Sequence, residues 1–307
     1  MITNFEEIVK CAQEKGPKTI AVAVAQDLDV LLAVKNANDL GIATAILVGD
    51  EAEIRKIAQD NQISLDGFTI VNQTDKVEAC RTAVLLVSSG KAQVLMKGII
   101  DTAIILKAVL DKEIGLRTDN VLSHVAVADV DGYDRLFYIT DAAMNIAPDA
   151  ATKKQIVENG IQVANALGND CPKVACVCAV EKVNPKMQAT LDAAELVKMN
   201  ESGELTGCIV AGPFALDNAV SAEAAKHKGI SDPVAGHADI LLMPFIEAGN
   251  MLYKSIVFFA RGKIAGIVVG AKAPIVLTSR ADSDIAKLNS IAIGVLMASN
   301  YAEKRGA

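Results

Sequence analysis

The chain is predicted to be an α/β protein with two domains, and three observations support this prediction. Short apolar runs alternate with Ala-rich amphipathic stretches along the chain. At 307 residues the chain exceeds the size at which one hydrophobic core usually keeps growing. Its residues are 51% hydrophobic and only 4% aromatic, without Trp, and such an aliphatic composition is typical of buried strands between layers of helices.

The first half of the chain carries strand-like runs, each closed by a turn signal. They are TIAVAVA (19–25), TAILVG (44–49), FTIVN (68–72), VLMKG (94–98) and VAVADV (125–130). Between them lie stretches with a helical period, such as DVLLAVKNANDLG (29–41), which ends on a Gly. This alternation predicts a parallel sheet with helices on both faces.

A second series of apolar runs follows after about residue 136 and predicts a second α/β unit. The runs are LFYITDAA, KVACVCAV, GCIVAG, ADILLMP and IAGIVVGA. The final segment, DSDIAKLNSIAIGVLMASNYAEKRG, has apolar positions at helical spacing. We expect this last helix to pack back on the first domain.

Charge and cysteine content limit the possible partners and the compartment. The chain has 30 Lys and Arg against 37 Asp and Glu, a net charge of -7, which argues against a nucleic-acid surface but not against small anions. Its six cysteines lack the paired spacing of a zinc site. We find neither a secretory signal pattern nor an apolar run of membrane-spanning length. A cytoplasmic protein with reduced thiols and no membrane partner is expected.

The polar residues that follow the strands are the first candidates for a site, because ligands of open α/β sheets bind outside the carboxyl ends of strands. Thr278, Ser279 and Arg280 end an apolar run, and Asp282 and Asp284 precede the last helix. Two hydroxyls and a guanidinium at a strand end suit a phosphate or an oxyanion. The alternative is that the aspartates merely cap the helix and that the arginine is a surface charge.

Two further positions in the first half carry candidate residues. Lys97 and Gly98 end the run VLMKG, and Thr102 lies at the start of the next helix. The glycine allows close approach of the backbone, and the lysine offers a point charge. Ser123 and His124 lie at the start of a strand, which makes His124 the one histidine expected near a site. A strand, a glycine and a helix also occur where a chain merely turns.

Another candidate cluster follows the run ADILLMP. Asn250, Tyr253 and Lys254 lie on or near a helix there, although a simple turn and a solvated helix charge explain the same residues. The chain contains no G-x-S-x-G elbow, P-loop or G-x-G-x-x-G, which lowers support for a hydrolase triad, an NTPase and an ordinary Rossmann dehydrogenase.

Taken together, these segments resemble the family of phosphate acetyltransferases and phosphate butyryltransferases. The most extensive match runs over residues 212–283, and DAAMNIAPDAATKKQI (141–156) resembles the central segment of the family. MKGIIDTAIILKAVL and LSHVAV are similar to its butyryl-type branch. The resemblance implies a fold like that of isocitrate and isopropylmalate dehydrogenases, with two α/β domains and a cleft between them. It predicts a first domain of residues 1–135 plus 266–307 and a second domain of residues 136–265.

The resemblance also implies roles for the residues that match the family's motif. Arg280 is expected to bind phosphate, and Ser279 to hydrogen-bond the reacting carbonyl as negative charge develops there. The family has an aspartate soon afterwards as a general base, but this offset falls on Ala286. Asp282 and Asp284 are the carboxylates nearby. Acyl-CoA and inorganic phosphate are the implied partners, with coenzyme A as a substrate and neither a metal nor an organic cofactor.

The expected reaction is the reversible transfer of a short acyl group, butyryl in preference, from acyl-CoA to phosphate in a ternary complex. Acetyl transfer is the alternative within the family, since roughly 1–3 kcal/mol per methylene separates the two substrates. An NAD-dependent decarboxylating dehydrogenase should show clustered acidic metal ligands, and the sequence has none at suitable spacing. A two-domain small-molecule binding protein is the non-enzymatic alternative. A homo-oligomer is expected.

Overall fold

The computed structural model describes residues 1–278 and 282–306, and it confirms the α/β class. The chain divides into two compact units. The N-terminal unit comprises residues 5–120 and the stretch from residue 265 onwards, and the central unit comprises residues 1–4 and 121–264. In the described residues, no helix is long and apolar enough to cross a bilayer.

The N-terminal unit is a mostly parallel sheet with helices packed on it. Its strands are β1 (Lys18–Ala23), β2 (Ala43–Gly49), β3 (Thr69–Asn72), β4 (Val94–Lys97), β10 (Lys263–Val269, in this unit from residue 265) and β11 (Ile275–Val276). Its helices are α1 (Phe5–Lys15), α2 (Leu28–Asp39), α3 (Glu51–Asp60), α4 (Lys76–Ser88), α5 (Thr102–Val109) and α11 (Asp284–Gly306).

The strands of this unit lie in the order β3-β2-β1-β4-β11-β10. All these neighbours pair in parallel except β10 and β11, which are antiparallel. The central strands β1 and β4 are buried on both faces: Ile20, Val22, Leu95 and Met96 have no exposed surface. This burial explains their continuous apolar runs, since neither face needs a polar residue.

A topological switch point lies between β1 and β4. The chain leaves β1 for β2 on one side, and β4 occupies the other side of β1. Where the connections from two adjacent parallel strands run to opposite sides of the sheet, a crevice forms outside the carboxyl ends of these strands. The order of the strands therefore marks the carboxyl ends of β1 and β4 as the place for a ligand.

The long helix α11 belongs to the N-terminal unit although it lies at the far end of the chain. It packs against α1 and α2 in that unit. Lys15 of α1 and Glu303 of α11 form an ion pair 2.6 Å long on the surface. The carboxyl-terminal segment thus completes the unit that the first part of the chain begins.

The central unit contains a mixed sheet with the strand order β5-β6-β9-β7-β8. Its strands are β5 (Ser123–Asp129), β6 (Phe137–Thr140), β7 (Lys173–Val177), β8 (Ile209–Phe214) and β9 (Ile240–Leu242). Its helices are α6 (Ala150–Ala166), α7 (Gln188–Glu201), α8 (Leu216–Val220), α9 (Ala222–His227) and α10 (Ile246–Phe258). A buried hydrophobic cluster that includes Val177, Phe214 and Leu241 forms its core.

The division between the units differs from the boundaries expected from the sequence. The first boundary lies after Asn120, not after residue 135, and the second lies after Ile264, close to the expected position. The reason for the first difference is that β5 pairs antiparallel with β6, with Ala126 opposite Ile139. Ser123 and His124, which we expected in the first domain, therefore belong to the central unit.

Candidate active site

The carboxyl ends of β1 and β4 approach each other closely in the N-terminal unit. The Gly98 amide donates to the carbonyl of Ala23 over 2.8 Å, and the Ile99 amide donates to the carbonyl of Val24 over 2.9 Å. Val24 has a positive φ of 58°. A Cβ on Gly98 would lie 2.1 Å from the Val24 carbonyl oxygen, so only glycine fits where these two chain segments meet.

Lys97 is a buried lysine at the end of β4, directly before this close approach. It is 5% exposed, and its Nζ donates to the carbonyl oxygens of Gly98 and Ile100 over 3.2 and 3.1 Å. Burial raises the pKa of the neighbouring Cys80 thiol to about 11, and the charge of Lys97 opposes that rise. The two carbonyl oxygens supply hydrogen-bond partners for a polar group that would otherwise be costly to bury.

Thr278 and Thr102 lie at the same edge of the sheet. β11 pairs with β4 so that Val276 lies opposite Met96, and Thr278 follows two residues later with 5% of its surface exposed. Thr102 is the first residue of α5 and is half-buried. The structure thus brings Lys97, Gly98, Thr102 and Thr278 to one region of one unit.

Ser279 and Arg280, the residues expected to act on the acyl phosphate, lie outside the described residues. The chain places them between Thr278 and Asp282. Asp282 and Asp284 are both half-buried, and Asp284 is the first residue of α11. Ser283 caps that helix, since its hydroxyl accepts a hydrogen bond from the Ala286 amide over 3.2 Å.

Two residues at this edge were missed by the sequence analysis. Lys287, in the first turn of α11, is 4% exposed, and its Nζ donates to the carbonyl of Asp282. Gln26 follows β1, is 8% exposed, and has a buried Oε1 without a hydrogen-bond partner in the described part of the chain. The available signal for Lys287 was its place at a helix N-terminus, where the helix dipole disfavours a cation.

In the central unit, the structure brings together some of the predicted residues. The His124 and Tyr253 rings meet edge to face, with 6.3 Å between their centres. The Lys254 Nζ lies 4.7 Å from the centre of the Tyr253 ring, in a cation–π contact. Asn250 is exposed and donates to the Ala142 carbonyl over 3.3 Å.

Ser123 is placed differently from these residues. It has no exposed surface, and its hydroxyl accepts a hydrogen bond from the Asn159 side chain over 2.8 Å. The carbonyl of the adjacent His124 accepts a hydrogen bond from the Thr140 hydroxyl over 3.0 Å. These bonds join β5 to α6 and β6, so the described contacts of Ser123 are those of a residue that supports the strand.

Asp141 organises the loop after β6, which is a role that the sequence analysis did not assign. Its carboxylate accepts hydrogen bonds from the amides of Ala143, Met144 and Asn145 over 2.8–3.1 Å and from the Asn145 side chain over 2.6 Å. A Cβ on Gly249 would lie 2.2 Å from the Asp141 carbonyl oxygen. The start of α10, where Asn250 directly follows Gly249, is therefore in close contact with this loop.

A buried ion pair was also missed. Lys153 of α6 and Asp192 of α7 lie 2.5 Å apart, with 3% and 5% of their side chains exposed. The Gln188 side chain donates to the second oxygen of Asp192 over 2.7 Å, and the Lys153 Nζ lies 5.4 Å from the centre of the Phe245 ring. Nothing at sequence level pairs these residues, which are 39 positions apart.

The buried cysteines are poor candidates for an acyl carrier. Burial raises the pKa of the Cys178 thiol, which follows β7, to about 11, and it raises the pKa of Cys208 to about 12. The thiolate is the nucleophilic form of cysteine, so these thiols are almost entirely in the unreactive form at neutral pH. Direct transfer between two substrates needs no such residue.

Comparison with known sequences decides the family. Residues 3–82 and 74–295 match the family described as "Phosphate acetyl/butaryl transferase". The chain belongs to this family. It is 51% identical over 298 residues to the phosphate butyryltransferase of Clostridium beijerinckii, covering 97% of this chain and 99% of that protein.

Members of this family differ in the acyl group for which they are named. The chain is 46% identical over 294 residues to the phosphate acetyltransferase of Thermotoga maritima, covering 96% of this chain and 99% of that protein. Among solved structures, it is similar to a branched-chain phosphotransacylase from Enterococcus faecalis V583, with a TM-score of 0.81 and 37% identity. That alignment covers 92% of this chain and 99% of the other. Membership of an enzyme family removes the support for a non-enzymatic binding protein and for a dehydrogenase.

Proposed function

We propose that the protein is an acyltransferase that moves a butyryl group reversibly between coenzyme A and inorganic phosphate. The observation that carries this proposal is the identity of about half of all positions, over nearly the whole chain, to proteins named phosphate butyryltransferase. The carboxyl edge of the N-terminal sheet supports it, because the buried Lys97 ends β4 and the buried Thr278 follows β11, the strand that pairs with β4.

In the proposed reaction, an oxygen of hydrogen phosphate attacks the carbonyl carbon of butyryl-CoA and forms a C–O bond. Arg280 binds the phosphate through its planar fork of donors, and Ser279 donates to the carbonyl oxygen as it becomes an oxyanion. The C–S bond then breaks, and its electron pair stays on the coenzyme A sulfur. The proton lost by hydrogen phosphate ends on that sulfur, so that butyryl phosphate and the free thiol are the products.

In the reverse direction, a base must remove the thiol proton, because a thiol with a pKa of about 8.5 is mostly protonated at neutral pH. Asp282 and Asp284 are the carboxylates that we propose for this role, since they follow shortly after the Ser279–Arg280 pair in the sequence. No metal or organic cofactor takes part in the proposed mechanism, and coenzyme A is a substrate. Binding both substrates in one ternary complex supplies the proximity that the reaction needs.

The remaining candidate residues are proposed to contact the substrates. Lys97, Gly98, Thr102 and Thr278 would surround the phosphate, and His124, Asn250, Tyr253 and Lys254 would contact coenzyme A and its acyl chain. Ser123 is not assigned to a substrate, because it has no exposed surface and its hydroxyl accepts a hydrogen bond from Asn159. This assignment rests on the two-domain arrangement of the isocitrate dehydrogenase type, with the substrates in a cleft, which is part of the proposal.

We also propose that the protein is cytoplasmic. The six free cysteines support this location, because thiols stay reduced in the cytoplasm.

The proposed reaction is tested by mixing the purified protein with phosphate and butyryl-CoA and following the release of free thiol. We expect release that depends on phosphate and is faster with butyryl-CoA than with acetyl-CoA. One missing methylene in an apolar pocket costs roughly 1–3 kcal/mol, so two methylenes predict a preference of about 30-fold or more. Faster release from acetyl-CoA would make the protein a phosphate acetyltransferase, and no release from either thioester would reject acyl transfer.

We further propose that the protein forms a homo-oligomer through an apolar surface of the central unit. Phe258 and Phe259, at the end of α10, are 66% and 88% exposed. Burying one phenylalanine side chain contributes about 2 kcal/mol to association. Light scattering should give a mass that is a multiple of the single chain, and Phe259→Ser should shift it towards the monomer. Val183→Ser, at an apolar side chain exposed elsewhere in this unit, should not; a wild-type monomer would contradict the proposal.

A further inference from the structure

A buried amide side chain lies just beyond the carboxyl end of β1, and the proposed mechanism does not use it. Gln26 follows β1 and is 8% exposed. Its Oε1 is fully buried and accepts no hydrogen bond from the described part of the chain. A buried amide oxygen without a donor costs free energy, and such groups are rare in folded proteins. Gln26 is therefore a candidate for a residue that gains its partner when a ligand binds.

The backbone that leads to Gln26 is held between the two strands that flank β1. On one side, the Ala25 amide donates to the carbonyl of Val48 in β2 over 3.1 Å. On the other side, the Val24 carbonyl accepts a hydrogen bond from the Ile99 amide, just after β4, over 2.9 Å. These bonds fix Gln26 at the switch point of the N-terminal sheet, where open α/β sheets bind their ligands.

A glycine at the end of β2 provides the room for the Gln26 amide. A Cβ on Gly49 would lie 2.2 Å from the Gln26 Oε1. The oxygen therefore rests against the backbone of this glycine. The last torsion of a glutamine side chain has a broad energy profile, so a rotation about this bond turns Oε1 away from Gly49 without any movement of the backbone.

The groups next to Gln26 favour a neutral ligand group over a phosphate. Asp27 caps α2, where its carboxylate accepts a hydrogen bond from the Val30 amide over 3.0 Å. Asp29 adds a second carboxylate, which Lys287 offsets from 3.8 Å away. A negative charge thus remains beside the amide, and it repels phosphate. A phosphate also mainly accepts hydrogen bonds, whereas the Gln26 Oε1 requires a donor such as an amide N–H.

Pantetheine, the arm of coenzyme A that carries the thiol, is the part of the proposed substrates with neutral amide groups. Its outer amide nitrogen lies about 9 Å from the sulfur when the arm is extended. Val48 of β2 and Lys97 of β4 both lie opposite Ala23 of β1, so the ends of β2 and β4 are about 10 Å apart. A thiol at the end of β4 therefore leaves an amide of the arm within reach of Gln26.

We infer that Gln26 binds the pantetheine arm of coenzyme A, with its Oε1 accepting a hydrogen bond from an amide N–H of the arm. This inference rests on the proposed function. The oxygen that lacks a partner in the free protein gains one in the complex. The amide therefore weakens the fold and strengthens the binding of the substrate, so one substitution should change stability and affinity in opposite directions.

Gln26→Met tests this inference, because methionine has a similar length and lacks the amide. Isothermal titration calorimetry should show a Kd for coenzyme A that is roughly fivefold to tenfold higher than in the wild type. The midpoint of urea denaturation should stay the same or rise, because the variant removes a buried acceptor without a partner. A lower midpoint together with an unchanged Kd would show a purely structural glutamine and would overturn the inference.

Gln93→Met is the matched control, since Gln93 lies at the opposite edge of the same sheet and its amide is paired. Its Oε1 accepts from the Thr19 amide over 3.0 Å, and its Nε2 donates to the Gly90 carbonyl over 3.4 Å. The Kd for coenzyme A should match that of the wild type, and the urea midpoint should not rise, because the variant loses bonds that the fold makes. An equal rise of the Kd in both variants would contradict a contact with Gln26.

Butyryl-pantetheine, which lacks the nucleotide, shows which part of coenzyme A is bound. In Gln26→Met, kcat/KM for butyryl-pantetheine should fall by the same factor as kcat/KM for butyryl-CoA. An unchanged value for butyryl-pantetheine would place the contact on the nucleotide and overturn the inference. Should the wild type bind coenzyme A but transfer no butyryl group, the proposed function fails, and the Kd of Gln26→Met still decides whether this residue binds the ligand. A wild type that does not bind coenzyme A would reject both.

Discussion

Arg280→Ala should lower kcat/KM for phosphate by roughly 100-fold to 1,000-fold. The variant loses the bidentate donor that we assign to the phosphate, and the loss of one preorganised donor to a reacting oxyanion has an effect of this size. The KM for phosphate should rise and the KM for butyryl-CoA should stay near the wild-type value, because Arg280 is assigned to the phosphate alone. Initial rates at varied phosphate and fixed butyryl-CoA measure both quantities.

Arg280→Lys refines this test. Lysine keeps the charge but lacks the planar fork of arginine, so its activity should lie between that of the wild type and that of Arg280→Ala. Arg55→Ala serves as the control, since Arg55 is an exposed arginine of the same unit in a surface ion pair with Glu51. Its kinetics should match those of the wild type. An Arg280→Ala enzyme with wild-type turnover and phosphate KM would remove this residue from the site.

Gly98→Ala should destabilise the N-terminal unit by about 3 kcal/mol or more and abolish most activity. Its Cβ would lie 2.1 Å from the Val24 carbonyl oxygen and 2.7 Å from that of Ala23, and backbone atoms cannot move aside as a flexible side chain can. The end of β4 must then separate from β1, with loss of the bond from the Gly98 amide to Ala23. Lys97, directly before it, moves with the strand.

Urea denaturation of the variant measures the change in stability, and the thiol-release assay measures the change in activity. Gly160→Ala is the matched control, because that glycine lies in helix α6 and its new Cβ would meet only side-chain atoms, the nearest at 3.4 Å. Alanine is favoured over glycine inside a helix by about 1 kcal/mol, so this change should not destabilise the protein. Gly98→Ala with an unchanged urea midpoint would show that the two strand ends separate without cost.

The strands of the N-terminal unit could be predicted from the sequence because buried strands have a recognisable apolar composition. The runs at 19–25, 44–49 and 94–98 correspond to β1, β2 and β4 within one or two residues. Strands that are buried on both faces need continuous apolar runs, and turn residues mark their ends. The same pattern, an apolar run followed by a glycine, predicted that Lys97 and Gly98 end a strand, but it did not show which residues surround them.

The division of the chain could not be predicted in the same way. Strand β5 has the composition of the strands before it, yet it pairs antiparallel with β6 and so belongs to the central unit. The choice of a pairing partner depends on hydrogen bonds between residues distant in the sequence. The apolar pattern of β5 shows that it is a buried strand but not which strand lies beside it.

For this protein, the sequence alone determined the α/β class, the family and the segment that carries Ser279 and Arg280, because periodicity and motif order are properties of the chain itself. Only the tertiary structure decided that Lys287 and Gln26 are buried, that Lys153 meets Asp192, and that Gly98 has no room for a side chain. Burial and close approach arise when elements distant in the sequence pack together. A lysine in a helical pattern has the same appearance in the sequence whether its ammonium group faces water or donates to a main-chain carbonyl inside the protein.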